Sequence, residues 1–489
     1  MVAEVGSLVL RPIGVGELSS VGVGVRDALF RVDWVSGVVD EGVGGGGVSG
    51  EGVLDLTGVG EVVDAVGVRG VVEGVLGWVQ GWLGRGEGGL PGVVVTRGVV
   101  SGSVVGSAVW GLVRSVQVEH PGRFVLVDVG VGVEGWRGRL GGVVASGESQ
   151  VWLGEGEVRV PRLGRVRVAE VDRAGDRGEV EGAVVGVGVG VGVGGVVDGL
   201  GGVGVGGSVL ITGGTGTLGR MVARHVVVRY GVRSVVLVSR RGGAAVGAGE
   251  LGEELAGLGA RVTFVAADVS RREGVVEALG AVPVEFPLRG VVHAAGVLDD
   301  GVVGSLSGER LVSVFGAKAG GAWWLHELTE GLGLAAFVLF SSGAGVFGSA
   351  GQANYGAANG FLDGLAAWRR GRGLAGVSLA WGLWADASGM TGHLGGVDHV
   401  RMSRGGLVGL SEGEGMALLD VALGVGEARL VPARFDFGVL RGRAVAGELP
   451  VLLRDVVRVP RRAVAARSAA GEGGVTLAQR LATLNETEQ

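Results

Sequence analysis

Residues 208–219 read SVLITGGTGTLG. The apolar, β-branched start is a buried strand of the parallel type, and the glycines then turn the chain into a helix expected from about Leu218 to Tyr230. In a strand–turn–helix of this kind Gly213 allows the sharp turn, Gly216 lets the backbone approach a pyrophosphate, and Gly219 permits close packing of helix on strand. The pyrophosphate would rest on the N–H groups at the positive end of the helix. Thr212, Gly214, Thr215, Thr217 and Leu218 complete the candidate cofactor turn.

Glycine spacing alone carries little weight in this chain. Glycine makes up 107 of 489 residues, about three times ordinary usage. At that frequency about five G-x-G-x-x-G matches arise by chance. Gly42, Gly44 and Gly47 form one of them, with no strand in front. The placement of 213–219 between a strand and a helix is what sets it apart.

Outward from this turn the pattern repeats. SVVLVSR (234–240), RVTFVAAD (261–268), RGVVHAAG (289–296) and AAFVLFSS (335–342) read as further strands, with helical segments between them. Strands of β-branched residues alternating with helices predict an α/β fold with a doubly wound parallel sheet. Upstream, residues 60–83 and 104–118 read as helices, and 92–96 and 123–129 as strands. This is a second Rossmann-like βα unit without a phosphate-binding turn. Between the halves lies AVVGVGVGVGVGGVV (183–197), too short and too poor in helix formers to span a bilayer, and read as a flexible linker.

Composition excludes several classes. There is no Gly-X-Y period and there are only nine prolines, so collagen is out. A hydrophobic share of 47% with a net charge of −6 argues against disorder, and the mild acidity against nucleic acid as a partner. The absence of cysteine suits a reducing cytoplasm and removes thiolate metal sites. The six histidines show no ligand spacing, so no metal is expected. The N-terminus has no basic region leading into an apolar stretch, hence no signal peptide is read there.

The second strand ends in Ser239-Arg240-Arg241. An acidic residue near this point would bind a ribose 2′-hydroxyl, whereas two arginines suit a 2′-phosphate, which favours NADPH over NADH. Asp268, ending the third strand, is placed to accept from an adenine amino group or to cap a helix.

Two rare residues mark the chemistry. Lys318 is the only lysine, and Tyr355 is one of two tyrosines, the other being Tyr230. Tyr355 follows Ser342 by thirteen residues in SSGAGVFGSAGQANYGAAN (341–359). Ser342 closes a strand at the carboxyl edge, where open α/β sheets bind ligands, and Tyr355 begins the next helix. A phenol protonates a developing alkoxide if an ammonium lowers its pKa, and a serine hydroxyl can hold the carbonyl oxygen. Tyr230 has no such company and is expected to pack.

With these motifs in view, the sequence resembles the ketoreductase domains of modular type I polyketide synthases, within the short-chain dehydrogenase/reductases. The resemblance runs from LFRVDW (29–34) through VWGLVRSVQVEHPGRFVLVD (109–128), GEVRVPRL (156–163), TGGTGTLG, HAAGVLDDG, FSS and YGAAN to LAWGLWADASGMT (379–391). It implies two Rossmann-like subdomains, a truncated structural one over 27–206 and a catalytic one over 207–440, with linkers at 1–26 and 441–489. It implies Tyr355 as proton donor and Ser342 as the carbonyl-orienting residue. Lysine commonly stands four residues after the tyrosine in this superfamily; here Asn359 stands there and Lys318 lies upstream, an exchange that resembles the polyketide synthase pattern. Val269, Ala294, Ala295 and Gly296 join the implied cofactor site.

The resemblance also implies stereochemistry. Leu298-Asp299-Asp300 resembles the motif of B-type domains, which form an R-configured β-hydroxyl, and Phe347 stands where A-type domains carry tryptophan. No proline lies in Gly356-Ala357-Ala358, so α-epimerisation is not indicated. The segment 384–394 resembles a mobile lid. The tail 475–489 resembles the first helix leading into an acyl carrier protein. The expected activity is therefore NADPH-dependent reduction of a β-ketoacyl chain held on the phosphopantetheine of an acyl carrier protein, beside neighbouring synthase domains. The competing expectation is a reductively inactive structural or epimerising domain.

Overall fold

The computed structural model describes residues 26–37, 52–60, 64–86, 89–166, 199–385 and 405–457. The Gly/Val tract, most of the expected lid and the C-terminal tail lie outside them.

The catalytic half carries strands β7 (Ser208–Thr212), β8 (Ser234–Ser239), β9 (Arg261–Ala266), β10 (Leu288–His293), β11 (Ala336–Ser342), β12 (Val377–Trp381) and β14 (Arg429–Pro432). They lie in the order β9-β8-β7-β10-β11-β12-β14, every neighbouring pair parallel. Strand order reverses between β7 and β10, and in a doubly wound sheet that switch point opens the ligand crevice. The inner strands β7, β8, β10, β11 and β12 are buried on both faces, whereas the edge strand β9 is partly exposed. Leu210, Val236, Val238, Val291, Phe337 and Leu339 enter one core, and Val209, Ile211, Val235, Leu237, Val292 and Val338 the other. Continuous apolar runs in the sequence follow from this double burial.

The first half contributes β1 (Leu29–Ser36), β2 (Val53–Asp55), β3 (Gly92–Arg97), β4 (Phe124–Val129), β5 (Gln150–Leu153) and β6 (Val158–Arg165). Strands β2 to β5 are parallel, and β6 and β1 return antiparallel. β1 then pairs antiparallel with β14, Leu29 opposite Pro432 and Phe30 opposite Val431. The two Rossmann-like halves therefore share one sheet of 13 strands. A minor two-stranded sheet joins β13 (Leu407–Val408) to β15 (Arg434–Phe435).

Among the described residues, twelve helices cover the faces. Those of the first half are α1 (Ala65–Leu83), α2 (Val104–Glu119) and α3 (Leu140–Ala145). The second half has α4 (Thr217–Tyr230), α5 (Ala248–Gly257), α6 (Arg272–Gly280), α7 (Gly308–Phe315), α8 (Gly321–Thr329), α9 (Ala344–Phe347), α10 (Ala353–Gly371), α11 (Glu412–Gly424) and α12 (Phe437–Ala446). Helix α1 starts where the Asp64 carboxylate caps the Gly67 N–H, and it buries Val68, Val72, Val75, Leu76 and Val79 at helical spacing. None of the helices among the described residues is long and apolar enough to cross a membrane.

The halves meet most closely where α2 lies on α10. A Cβ on Gly111 would sit 2.1 Å from the Gly356 carbonyl oxygen, and one on Gly360 would sit 2.2 Å from that of Ser107. Gly364 approaches the Val104 backbone in the same way, at 2.8 Å. Glycines at 356, 360 and 364 form a stripe one turn apart, which lets the two helix backbones touch. Gly356 therefore has a packing reason of its own, in the segment that follows Tyr355.

Candidate active site

The glycine turn leaves β7 at the switch point. Gly213 has φ +66°, and a Cβ there would sit 2.9 Å from the Ala294 carbonyl oxygen. A Cβ on Gly219 would sit 2.2 Å from the Gly213 carbonyl oxygen, so the close packing of helix on strand requires glycine there. Gly216 is the N-cap of α4, and no side chain caps that helix. Its first amides thus form a bare, positive cradle that fits a pyrophosphate. Arg220 steadies the turn by donating to the Thr215 carbonyl at 2.8 Å. Leu218 reaches the neighbouring cavity.

The side chain of Thr212 points inward. It is fully buried, 2.7 Å from His293 Nδ1, and accepts from Ala295 N–H at 3.3 Å. It ties β7 to β10 and leaves ligand contact to the backbone. Ser239 accepts from Gly242 N–H, while Arg240 and Arg241 are exposed at the end of β8 and pair with no described carboxylate. Asp268 lies beyond β9, exposed, and its carboxylate accepts from Ser270 N–H. It shapes a turn and does not cap α6, whose N-cap is Arg271. Val269 and Ala294 are buried, and Ala295 and Gly296 half-buried, along the same edge.

Tyr355, Ser342 and Lys318 line one cavity of about 220 Å³, with Leu298, Phe347 and Gln352 across it. Ser342 ends β11 and Tyr355 lies in the first turn of α10, so a strand end and a helix start converge. Lys318 lies in a π-helical turn, Gly316–Gly320, between α7 and α8. Its Nζ donates to the Phe340 carbonyl at 2.8 Å and lies 5.4 Å from the centroid of the Tyr355 ring. Asn359 Nδ2 donates to the Tyr355 carbonyl at 2.8 Å, and its Oδ1 is buried with no partner. That acceptor suits a donor brought by a bound molecule.

The electrostatics correct one expectation. Burial raises the Tyr355 phenol above its ordinary value, against the opposing pull of hydrogen bonds from Asn359 and Ser342. Burial also pushes Lys318 down to about 8, with the charge of Asp363 resisting. An apolar site penalises phenolate and ammonium alike, so Tyr355 holds its proton firmly. Tyr230 departs from the expectation of plain packing: its hydroxyl donates to Asp420 Oδ1 at 2.5 Å, beside His225 Nε2 at 2.6 Å.

The residues opposite Tyr355 are braced. Asp299 accepts from Arg310 Nε at 2.7 Å, and Asp300 from Gln352 Nε2 at 2.9 Å. Asn354 links both sides, accepting from Tyr355 N–H and donating to the Asp299 carbonyl, each at 2.8 Å.

The fold is similar to that of a ketoreductase from the first module of phoslactomycin biosynthesis in Streptomyces sp. HK803, which matches with a TM-score of 0.67 and 30% identity over 88% of this chain and 99% of its own. The chain belongs to the ketoreductase domains of modular type I polyketide synthases. An A-type ketoreductase from a modular polyketide synthase matches this ketoreductase domain with a TM-score of 0.71 and 29% identity, over 91% of this chain and all of its own. Residues 207–386 match the KR domain family, and 33–163 match the Rossmann fold domain of polyketide synthase extender module SpnB. Polyketide synthase GfsE of Streptomyces halstedii is 46% identical over the whole chain, which spans 12% of that protein. Mycoketide-CoA synthase of Mycobacterium tuberculosis is 50% identical over 55% of the chain and 7% of its own length. As a ketoreductase domain it is an oxidoreductase of β-keto groups, with a Rossmann fold suited to a nicotinamide cofactor.

Three contributors to the site escaped the sequence reading. The α10 glycine stripe was hidden by glycine abundance, although its spacing of four is legible in YGAANGFLDG. His293 is in the sequence only one of six histidines without ligand spacing. Glu119 had no local signal at all.

Proposed function

We propose that this ketoreductase domain uses NADPH to reduce the β-keto group of an acyl thioester carried on an acyl carrier protein, giving an R-configured hydroxyl without α-epimerisation. The observation that carries the reading is the convergence of Tyr355, Ser342 and Lys318 on one cavity beside the uncapped glycine turn. Gly213 to Gly219 would hold the pyrophosphate, Arg240 and Arg241 the 2′-phosphate, and Asp268 the adenine edge. When bound, NADPH supplies the hydride that reduces the β-carbon.

The chain's own residues do the rest. The Ser342 hydroxyl donates to the β-carbonyl oxygen and fixes its orientation. Tyr355, kept protonated by burial, gives its proton to the oxygen as negative charge develops there. Lys318, charged below about pH 8, stabilises the phenolate that remains, and Asn359 fixes the start of α10 through the Tyr355 carbonyl. Leu298 and Phe347 form apolar walls on the cavity, and a substrate entering along that side presents one face of its ketone. Asp299 and Asp300 act by fixing the backbone of that wall, since both carboxylates already have partners. We retain 27–206 and 207–440 as the two subdomains, with the β1–β14 pairing crossing between them.

Tyr355→Phe should fold normally and lose NADPH consumption on a β-ketoacyl thioester by roughly 10²-fold or more. Undiminished turnover would remove Tyr355 as the proton donor, and a wild type that consumes no NADPH would favour the reading of a reductively inactive or epimerising domain. Chiral chromatography of the alcohol tests the stereochemistry, and a predominantly S-configured product would refute the B-type assignment.

A further inference from the structure

Glu119 is the last residue of α2, in the half that carries no cofactor turn. Its two carboxylate oxygens serve two loops of the other half. Oε2 accepts from Val303 N–H at 2.8 Å, and Oε1 from Gly351 N–H at 2.9 Å. The first loop follows Asp299 and Asp300; the second leads into Tyr355. The loops are also joined to each other, Gly301 N–H donating to the Gly351 carbonyl at 2.7 Å. One carboxylate thus closes a ring of hydrogen bonds between the wall of the cavity and the start of the tyrosine helix.

Neighbouring contacts make this attachment rigid. Ser115 Oγ accepts from Ser349 N–H at 3.2 Å, one turn before Glu119 on the same helix. Gln80 of α1 donates to the Val303 and Leu306 carbonyls at 2.8 and 2.9 Å. Gly348 has φ +74°, and a Cβ there would sit 2.3 Å from the Arg114 carbonyl oxygen, so the second loop rests directly on α2. Because α2 and α10 touch backbone to backbone at Gly111 and Gly356, the carboxylate is held in a fixed frame relative to Tyr355.

We propose that Glu119 is a positioning residue for the reduction, setting the distance and angle between the Leu298 wall and Tyr355 so that the ketone is presented to the proton donor by one face. The inference rests on the reductase reading and deepens it: the half without a cofactor turn takes part in stereocontrol through one carboxylate. Charge-assisted bonds to backbone N–H groups are strong and directional, and small misplacements of a bound substrate cost rate steeply.

The test uses the full chain with NADPH and a β-ketoacyl thioester. Glu119→Ala should lower kcat/KM by roughly tenfold and reduce the excess of the major alcohol enantiomer, while NADPH affinity by fluorescence titration stays within about twofold. Glu119→Gln, which keeps one acceptor oxygen and presents an N–H donor to the other loop, should lie between. Hydrogen exchange read by mass spectrometry, without substrate, should accelerate in peptides covering 298–306 and 348–354 and stay unchanged in the rest of α2 and α10. If Glu119→Ala does not fold, Glu119→Gln carries the same four readouts. Unchanged kcat/KM and enantiomer ratio in a folded variant overturn the proposal, as does protection lost evenly across α2 and α10, which would mark a merely structural carboxylate. If wild type consumes no NADPH, the reductase reading fails, and the exchange data alone then decide whether Glu119 fixes the two loops.

Discussion

His293 Nε2 lies 2.8 Å from the carbonyl oxygen of Lys318, and the imidazole is fully buried. A carbonyl only accepts, so Nε2 carries the proton, and Nδ1 accepts from the Thr212 hydroxyl 2.7 Å away. The ring therefore locks the strand that ends in the glycine turn to the π-helical turn that carries the lysine. A single neutral histidine holds two parts of the site in register.

His293→Phe should destabilise the domain by about 2–4 kcal/mol in urea unfolding, because Thr212 and Lys318 lose buried partners. Burial, and next the Lys318 charge, push His293 down to about 3. An unfolded histidine takes its proton near pH 6.5, so the stability that this residue supports is present above that pH and is lost as pH falls toward 3. The gap between wild type and variant should narrow by about 2 kcal/mol between pH 7.5 and 5. A constant gap would show that the folded imidazole takes up a proton at its ordinary pH.

Lys318 sets a limit on the alkaline side. Its value of about 8 means that the ammonium is present below that pH and is lost as pH rises through it. Initial rates of β-ketoacyl thioester reduction should accordingly fall above pH 8, by up to roughly tenfold per pH unit. Lys318→Met should give a low, flat profile. A wild-type profile level to pH 9.5 would remove the ammonium from the mechanism.

Glycines in this chain should divide by location. Gly360→Ala places a methyl against the Ser107 backbone and should cost about 1–3 kcal/mol. Gly77→Ala meets nothing within 4 Å on the open side of α1 and should stabilise by about 0.5–1 kcal/mol. Chemical unfolding of both variants checks the pair. Equal effects would mean that the α2–α10 contact relaxes freely.

If Arg240 and Arg241 hold the 2′-phosphate as proposed, Arg240→Ala combined with Arg241→Ala should raise KM for NADPH roughly tenfold or more and leave KM for NADH nearly unchanged, since contacts to a charged phosphate are strong. The ratio of kcat/KM for the two cofactors is the measurement. An unaltered ratio would leave 2′-phosphate recognition to other residues.

The elements that carry the candidate site were legible because its parts are local. The turn at Gly213, the strand ending at Ser342 and the helix starting at Tyr355 are each written in a dozen consecutive residues, and the structure places each in the expected element. Lys318 stood out by rarity, yet the expectation that it lowers the phenol pKa did not survive burial of both groups. Thr212 belonged to the right motif with its side chain facing the other way.

By itself the sequence determined the alternation of strands and helices, the doubly wound class, the bare helix start at Gly216 and the residue types at the cavity. Those features follow from periodicity and turn chemistry, which act over a few residues. Only the tertiary structure decided that the two halves share a sheet through β1 and β14, that Gly111 meets Gly356, and that Glu119 reaches Val303 and Gly351. Each of those contacts joins residues far apart in the chain. Their geometry depends on how closely two backbones can approach, a property of packed elements that no local run of sequence encodes.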